Sequence, residues 1–178
     1  LGEIYFPVAI AAVWFVCRGN MLFYSMSILV LALADAVAAL IGSRYGKRRF
    51  TTKEGYKSWE GSSSFFIVAF LCIFLPLEFM TNTGRYESLL TALLIAALVM
   101  IMEAVAWSGL DNLFIPLSVC ILLTVYEGYN TTEIALRLIF LTLLTVCFFL
   151  LRKRIKLDDA SLLGASLFVY LTYLIGNW

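Results

Sequence analysis

The sequence contains no histidine. That removes imidazole metal ligands, imidazole general bases and Ser-His or Cys-His nucleophile pairs. Charge is scarce too: 14% of the 178 residues are charged, where a soluble domain carries about a quarter. The formal net charge is only +1, so no overall field draws the chain to nucleic acid and no such partner is expected. The four cysteines, Cys17, Cys72, Cys120 and Cys147, lie far apart in apolar runs. They form no CxxC pair and no zinc spacing, and they read as small hydrophobes in membrane helices. There is no signal-peptide pattern and no internal repeat. What is abundant is apolar surface: 62% of residues are hydrophobic, and the mean hydropathy is +0.94. One soluble core of this size could not hide it, so the expected solvent is a lipid bilayer.

A spanning helix needs about 20 mostly apolar residues. The chain offers seven such segments: 4–17, 21–41, 64–80, 88–107, 110–126, 132–151 and 160–176. The expected fold is therefore an all-α, polytopic integral membrane protein with about seven transmembrane helices, one catalytic domain over residues 1–178. The start at Leu1 leaves room for earlier helices. Alternating the spans sorts the basic residues strongly. Six fall in 42–63 and four in 152–159, against Arg18 and Arg85 on the other side. Cytoplasmic loops carry such an excess, which places 42–63 in the cytoplasm. Trp14 and Trp178 near outer ends and Trp107 near an inner end suit an aromatic belt. The membrane would be the plasma membrane in a prokaryote, or endoplasmic reticulum or plastid in a eukaryote.

Ionisable groups inside a span are costly and mark function by default. Asp35 lies in the small-residue run Leu31–Ile41, about 9 Å from the cytoplasmic end of its helix at 1.5 Å per residue. Glu103 lies near the same face, and Asp111-Asn112 opens the next span. The plainer readings are a structural partner for Asp35 and, for Asp111, a favourable place at a helix N-terminus. Glu133 and Arg137 read as an i,i+4 ion pair near an outer end. Asp158 and Asp159 read as N-caps of the last helix.

The loop 42–63 combines six cations, four glycines and several hydroxyls. Glycines let backbone N–H groups approach a ligand, and N–H groups clustered with Lys and Arg make an anion site. Ser62-Ser63-Ser64 is expected to open the next helix, whose free N–H groups suit phosphate. A basic loop near anionic lipid accounts for the cations alone. It leaves Gly55, Gly61 and the hydroxyls beside Lys57 unexplained. The spacing of Gly42–Arg48 is not that of a Walker A loop.

Three segments together resemble a known family. Asp35-Ala-Val-Ala-Ala-Leu-Ile-Gly42-Ser-Arg-Tyr-Gly46-Lys47 is similar to the D-x-x-A-x-x-x-G-x-x-x-G-K segment of the CTP-dependent lipid-alcohol kinases, which include dolichol, phytol and polyprenol kinases. Lys57-Ser58-Trp59-Glu60-Gly61-Ser62 resembles their K-[ST]-x-E-G-[ST] segment. Glu103 through Asp111-Asn112-Leu-Phe-Ile-Pro116 resembles their E…D-N-L-x-x-P segment. The superfamily also holds the CDP-diacylglycerol synthases, whose P-G-H-G-G core has no counterpart here. The absent histidine thus favours the kinase branch.

The resemblance implies transfer of the γ-phosphate of CTP, or another nucleoside triphosphate, to a long-chain isoprenoid alcohol at the bilayer. It implies Mg²⁺ or another divalent cation on Asp35 and Asp111. The catalytic set would be Asp35, Lys57, Glu60, Glu103 and Asp111. The nucleotide would meet Gly42, Arg44, Gly46, Lys47, Lys57, Ser58, Gly61, Ser62 and Asn112. The alternatives are a synthase-like cytidylyltransferase and, from another class, a small transporter with Asp35 as its coupling-ion site. A transporter would place its acids near the midplane in two matching halves. Here they gather near one face.

Overall fold

The computed structural model describes residues 2–52, 55–106, 109–155 and 158–176. Lys53, Trp107, Ser108, Lys156 and Trp178 lie outside the described residues, as do the side chains of Lys153 and Arg154. The described chain forms α1 (Gly2–Val16), α2 (Met21–Leu29), a π-helical turn (Val30–Ala34) and α3 (Asp35–Tyr45). A hairpin follows, β1 (Arg49–Thr52) with β2 (Gly55–Ser58). The rest is helical: α4 (Trp59–Met80), α5 (Arg85–Val105), α6 (Asp111–Tyr126), α7 (Thr131–Ile155) and α8 (Asp159–Gly176).

Over the described residues the chain is an all-α membrane protein apart from one small hairpin, but an exact count of about seven spans is not supported. Among the described residues five helices are long and apolar enough to cross a membrane: Met21–Tyr45, Trp59–Met80, Arg85–Val105, Thr131–Arg152 and Asp159–Gly176. The apolar helices Tyr5–Val16 and Asp111–Tyr126 are shorter. At 1.5 Å per residue, a helix of 16 residues reaches about 24 Å, short of the roughly 30 Å hydrocarbon core.

α5 is the most enclosed helix; Ala92, Leu94, Ile95, Ala96, Leu98 and Val99 are all buried. It packs against α4, α6, α7 and α8. α7 instead turns Leu136, Ile139, Leu143, Val146 and Leu150 outward, an apolar surface suited to lipid. Helix ends follow local chemistry. The Asn20 side chain accepts the Phe23 N–H at 3.2 Å and starts α2. Glu87 accepts the Gly84 N–H at 3.2 Å and starts α5.

Both borders of the 42–63 loop shift inward. α3 continues through Gly42 to Tyr45, and α4 begins at Trp59 rather than at the serines. Ser58 caps α4, its hydroxyl accepting the Gly61 N–H at 3.1 Å. The Trp59 N–H bonds the Arg48 carbonyl at 3.0 Å. Ser62, Ser63 and Ser64 therefore sit inside the helix, and in its actual first turn the Trp59 and Gly61 N–H groups are already paired.

Three further expectations change. Cys17 and Cys120 are not isolated hydrophobes: they are disulfide-bonded, with Cα atoms 6.1 Å apart, and join the turn after α1 to α6. Among the described residues Glu133 forms no ion pair with Arg137. Its carboxylate accepts the Asn130 N–H at 3.2 Å, while the Arg137 guanidinium lies 4.9 Å from the Tyr129 ring centre. Asp159 pairs with Arg152 at 2.9 Å and so ties α8 back to α7.

Candidate active site

The π-helical turn Val30–Ala34 immediately precedes Asp35. Such turns widen a helix locally and recur at functional sites. From there α3 carries Asp35, Ala38, Ala39 and Gly42 along a cavity of about 530 Å³. The start of α4 contributes Gly61 and Ser62; α5 contributes Glu103, and α6 contributes Asp111. Lys57 and Ser58 enter from β2. Residues from all three motifs thus meet in one place, although the motifs are far apart in sequence.

Charge is concentrated there. Asp35 is within electrostatic range of Asp111, Glu103 and Lys57. Lys57 Nζ forms an ion pair with Glu103 Oε1 at 2.7 Å and also donates to the Glu103 backbone carbonyl. Ser62 Oγ donates to the other Glu103 oxygen at 3.4 Å. Glu103 is buried, so its charge needs these partners. Asp111 Oδ1 accepts the Asn112 N–H at 3.0 Å, so it steadies the start of α6 and lines the cavity as well. Among the described residues no group of three Asp, Glu or Cys converges as a metal site. A two-carboxylate arrangement still suits Mg²⁺, which keeps waters and substrate phosphates as its other ligands.

Glycines shape the cavity by letting backbones approach. A Cβ on Gly61 would stand 3.2 Å from the Ala38 carbonyl oxygen and 3.3 Å from Gly42 Cα. Gly42 and Gly61 line the cavity and also form the close crossing of α3 with α4. A Cβ on Gly46 would meet Ser58 Cβ at 2.8 Å, so Gly46 fits the end of α3 against the hairpin.

The remaining expected residues are not cavity-lining. Arg44 and Lys47 are exposed near the end of α3 and are not drawn into the cavity. Glu60 lies outside it as well; both carboxylate oxygens accept the Arg48 N–H, each at 3.2 Å. Asn112 sits in the first turn of α6, beside the cavity wall. Arg49 and Tyr56, not singled out from the sequence, do line the cavity. Tyr56 is next to Lys57 in sequence, whereas Arg49 comes beside Ser58 only through the hairpin register.

A phytol kinase of Synechocystis sp. is 33% identical to this chain over 107 residues, covering 58% of this chain and 44% of that protein. The chain thus spans less than half the length of the curated relative it matches. No family profile matches the chain, and no solved structure matches it. Through its three motifs and this relative, the chain resembles the lipid-alcohol kinases, in the superfamily that also holds the CDP-diacylglycerol synthases.

Proposed function

We propose that this chain forms the membrane domain of a kinase that moves the γ-phosphate of CTP, or another nucleoside triphosphate, onto the hydroxyl of a long-chain isoprenoid alcohol. The observation that carries the proposal is the meeting of Asp35, Lys57, Gly61, Ser62, Glu103 and Asp111 around one cavity. Phosphoryl transfer needs little covalent help from a protein; it needs positioning and charge stabilisation.

Asp35 and Asp111 would hold a divalent cation, which when bound would neutralise charge on the transferring phosphate oxygens. An ammonium has three donors. In Lys57, Glu103 takes two of these through its carboxylate and its carbonyl, leaving one for a phosphate oxygen. Glu103 then acts as a positioning residue that aims Lys57. A carboxylate oxygen of Asp35 or Asp111 that does not bind the cation would accept the proton of the attacking hydroxyl, as the nucleoside diphosphate leaves. The alcohol enters sideways from lipid, with its hydroxyl at headgroup depth and residues 42–63 on the cytoplasmic side.

Purified protein incubated with CTP labelled at either the α- or the γ-phosphate, and with phytol, farnesol or a polyprenol, tests this reading. Label in lipid from the γ position alone is expected. Label from the α position with phosphatidate as acceptor would move the protein to the cytidylyltransferases. Asp35→Asn should stop transfer while leaving the fold intact; wild-type rates in that variant would sink the site.

A further inference from the structure

The hairpin is more than a connection between two spans. Phe50 is buried and its ring lies 5.3 Å from that of Trp59, which fixes one face of the hairpin to the helices. Its antiparallel register pairs Phe50 with Lys57, Arg49 with Ser58 and Thr51 with Tyr56. Directly opposed residues share a face. Phe50 and Lys57 therefore take the inner face, and Lys57 reaches Glu103 from it. Arg49 and Tyr56 lie diagonally on the other face, a separation of about 7–8 Å in an antiparallel pair. Both border the cavity that holds Asp35 and Asp111.

Their chemistry is unspent. The Arg49 side chain makes no ion pair or hydrogen bond among the described residues, whereas the Lys57 side chain is engaged twice. Tyr56 is 71% exposed, and its ring makes no aromatic contact among the described residues. A free guanidinium suits phosphate oxygens bidentately, and a bare aromatic face suits a nucleobase. The acids lie on helices that run into the membrane, while the hairpin lies between the spans Met21–Tyr45 and Trp59–Met80. Phosphates toward the acids, with Arg49 beside them and a base over Tyr56, would fit this order.

Resting on the kinase reading, we infer two further nucleotide contacts on the hairpin, with Arg49 holding the phosphate chain and Tyr56 stacking on the base. Base stacking on an aromatic residue is worth about 1–3 kcal/mol by alanine substitution, or about five- to 150-fold in affinity. Tyr56→Ala should therefore weaken CTP binding about tenfold or more and raise the nucleotide KM in step. It should leave the KM for the alcohol unchanged. Tyr56→Phe keeps the ring and should remain within about twofold of wild type. Arg49→Ala should narrow the preference for CTP over CMP as a competitor, because the lost partner is a phosphate ligand.

The experiment measures equilibrium binding of labelled CTP in micelles beside initial transfer rates. CTP binding in Tyr56→Ala equal to wild type would overturn the inference and leave the kinase reading standing. Wild type that binds CTP but transfers no phosphate to any alcohol would overturn the kinase reading, and Tyr56→Ala would still decide the hairpin's role by binding. Equal rises in both KM values, unrescued by Tyr56→Phe, would mark Tyr56 as a membrane-interface anchor and refute the inference.

Discussion

The Lys57–Glu103 pair offers a test that separates stability from catalysis. The charged atoms are 2.7 Å apart, and the side chains are 24% and 10% exposed. At an effective dielectric of about 20 the gross attraction is about 6 kcal/mol. Desolvation of two partly buried ions offsets most of that, leaving a coupling energy of about 1–3 kcal/mol. Glu103→Leu alone leaves an ammonium stranded beside its old partner, and Lys57→Met alone leaves a buried carboxylate with Ser62 as its remaining side-chain donor. Each single variant should therefore lose more stability than the double variant, in which two apolar groups replace the pair. Equilibrium unfolding in mixed micelles across the four proteins measures the coupling. The double variant should recover stability and yet transfer no phosphate, because the cation aimed into the cavity is gone. Strict additivity of the two single losses would refute the pair as a coupled unit. A double variant with wild-type transfer would refute the role of Lys57.

The apolar segments were legible in the sequence because a bilayer permits little else: each span must satisfy its own backbone and present apolar side chains. Their ends were less legible. Gly42-Ser-Arg-Tyr45 is polar and opens with glycine, yet it stays helical because Gly42 lets α3 lie against Gly61 of α4. That contact joins residues the sequence keeps far apart. Ser58 capping α4 was equally hidden, since three serines a few residues later offered a competing start. The hairpin strands are only four residues each, too short for their alternation to stand out in a basic loop. The acids of the candidate site were legible for another reason. An intramembrane carboxylate is expensive wherever it sits, so Asp35, Glu103 and Asp111 drew notice by residue type alone. What no local pattern could show is that Glu103 takes Lys57 as its partner, or that Cys17 and Cys120 meet. Both depend on how distant helices pack.

Two further substitutions probe the frame around the cavity. Gly61→Ala introduces a Cβ that would meet the backbone of α3 at 3.2 and 3.3 Å, so overpacking should cost about 1–3 kcal/mol. Unfolding in micelles reads the stability. The transfer rate should fall further, because Asp35 shares α3 and a 1 Å misplacement can cost about 10²-fold. Wild-type stability and rate together would show that the crossing is not tight. Glu60 distinguishes chemistry from positioning most sharply. Its carboxylate lies outside the cavity and holds the Arg48 N–H at the base of the hairpin. An amide oxygen can accept that same bond, so Glu60→Gln should transfer phosphate within about threefold of wild type, at the level of one modest neutral hydrogen bond. Glu60→Ala removes the acceptor and should raise the nucleotide KM about tenfold, because the hairpin loses a fixed point while the cavity acids stay in place. The sign of the contrast matters more than its size. If Glu60→Gln folds and yet abolishes transfer, the negative charge of Glu60 takes part in the reaction itself, and the hairpin must close over the cavity far enough to bring it there.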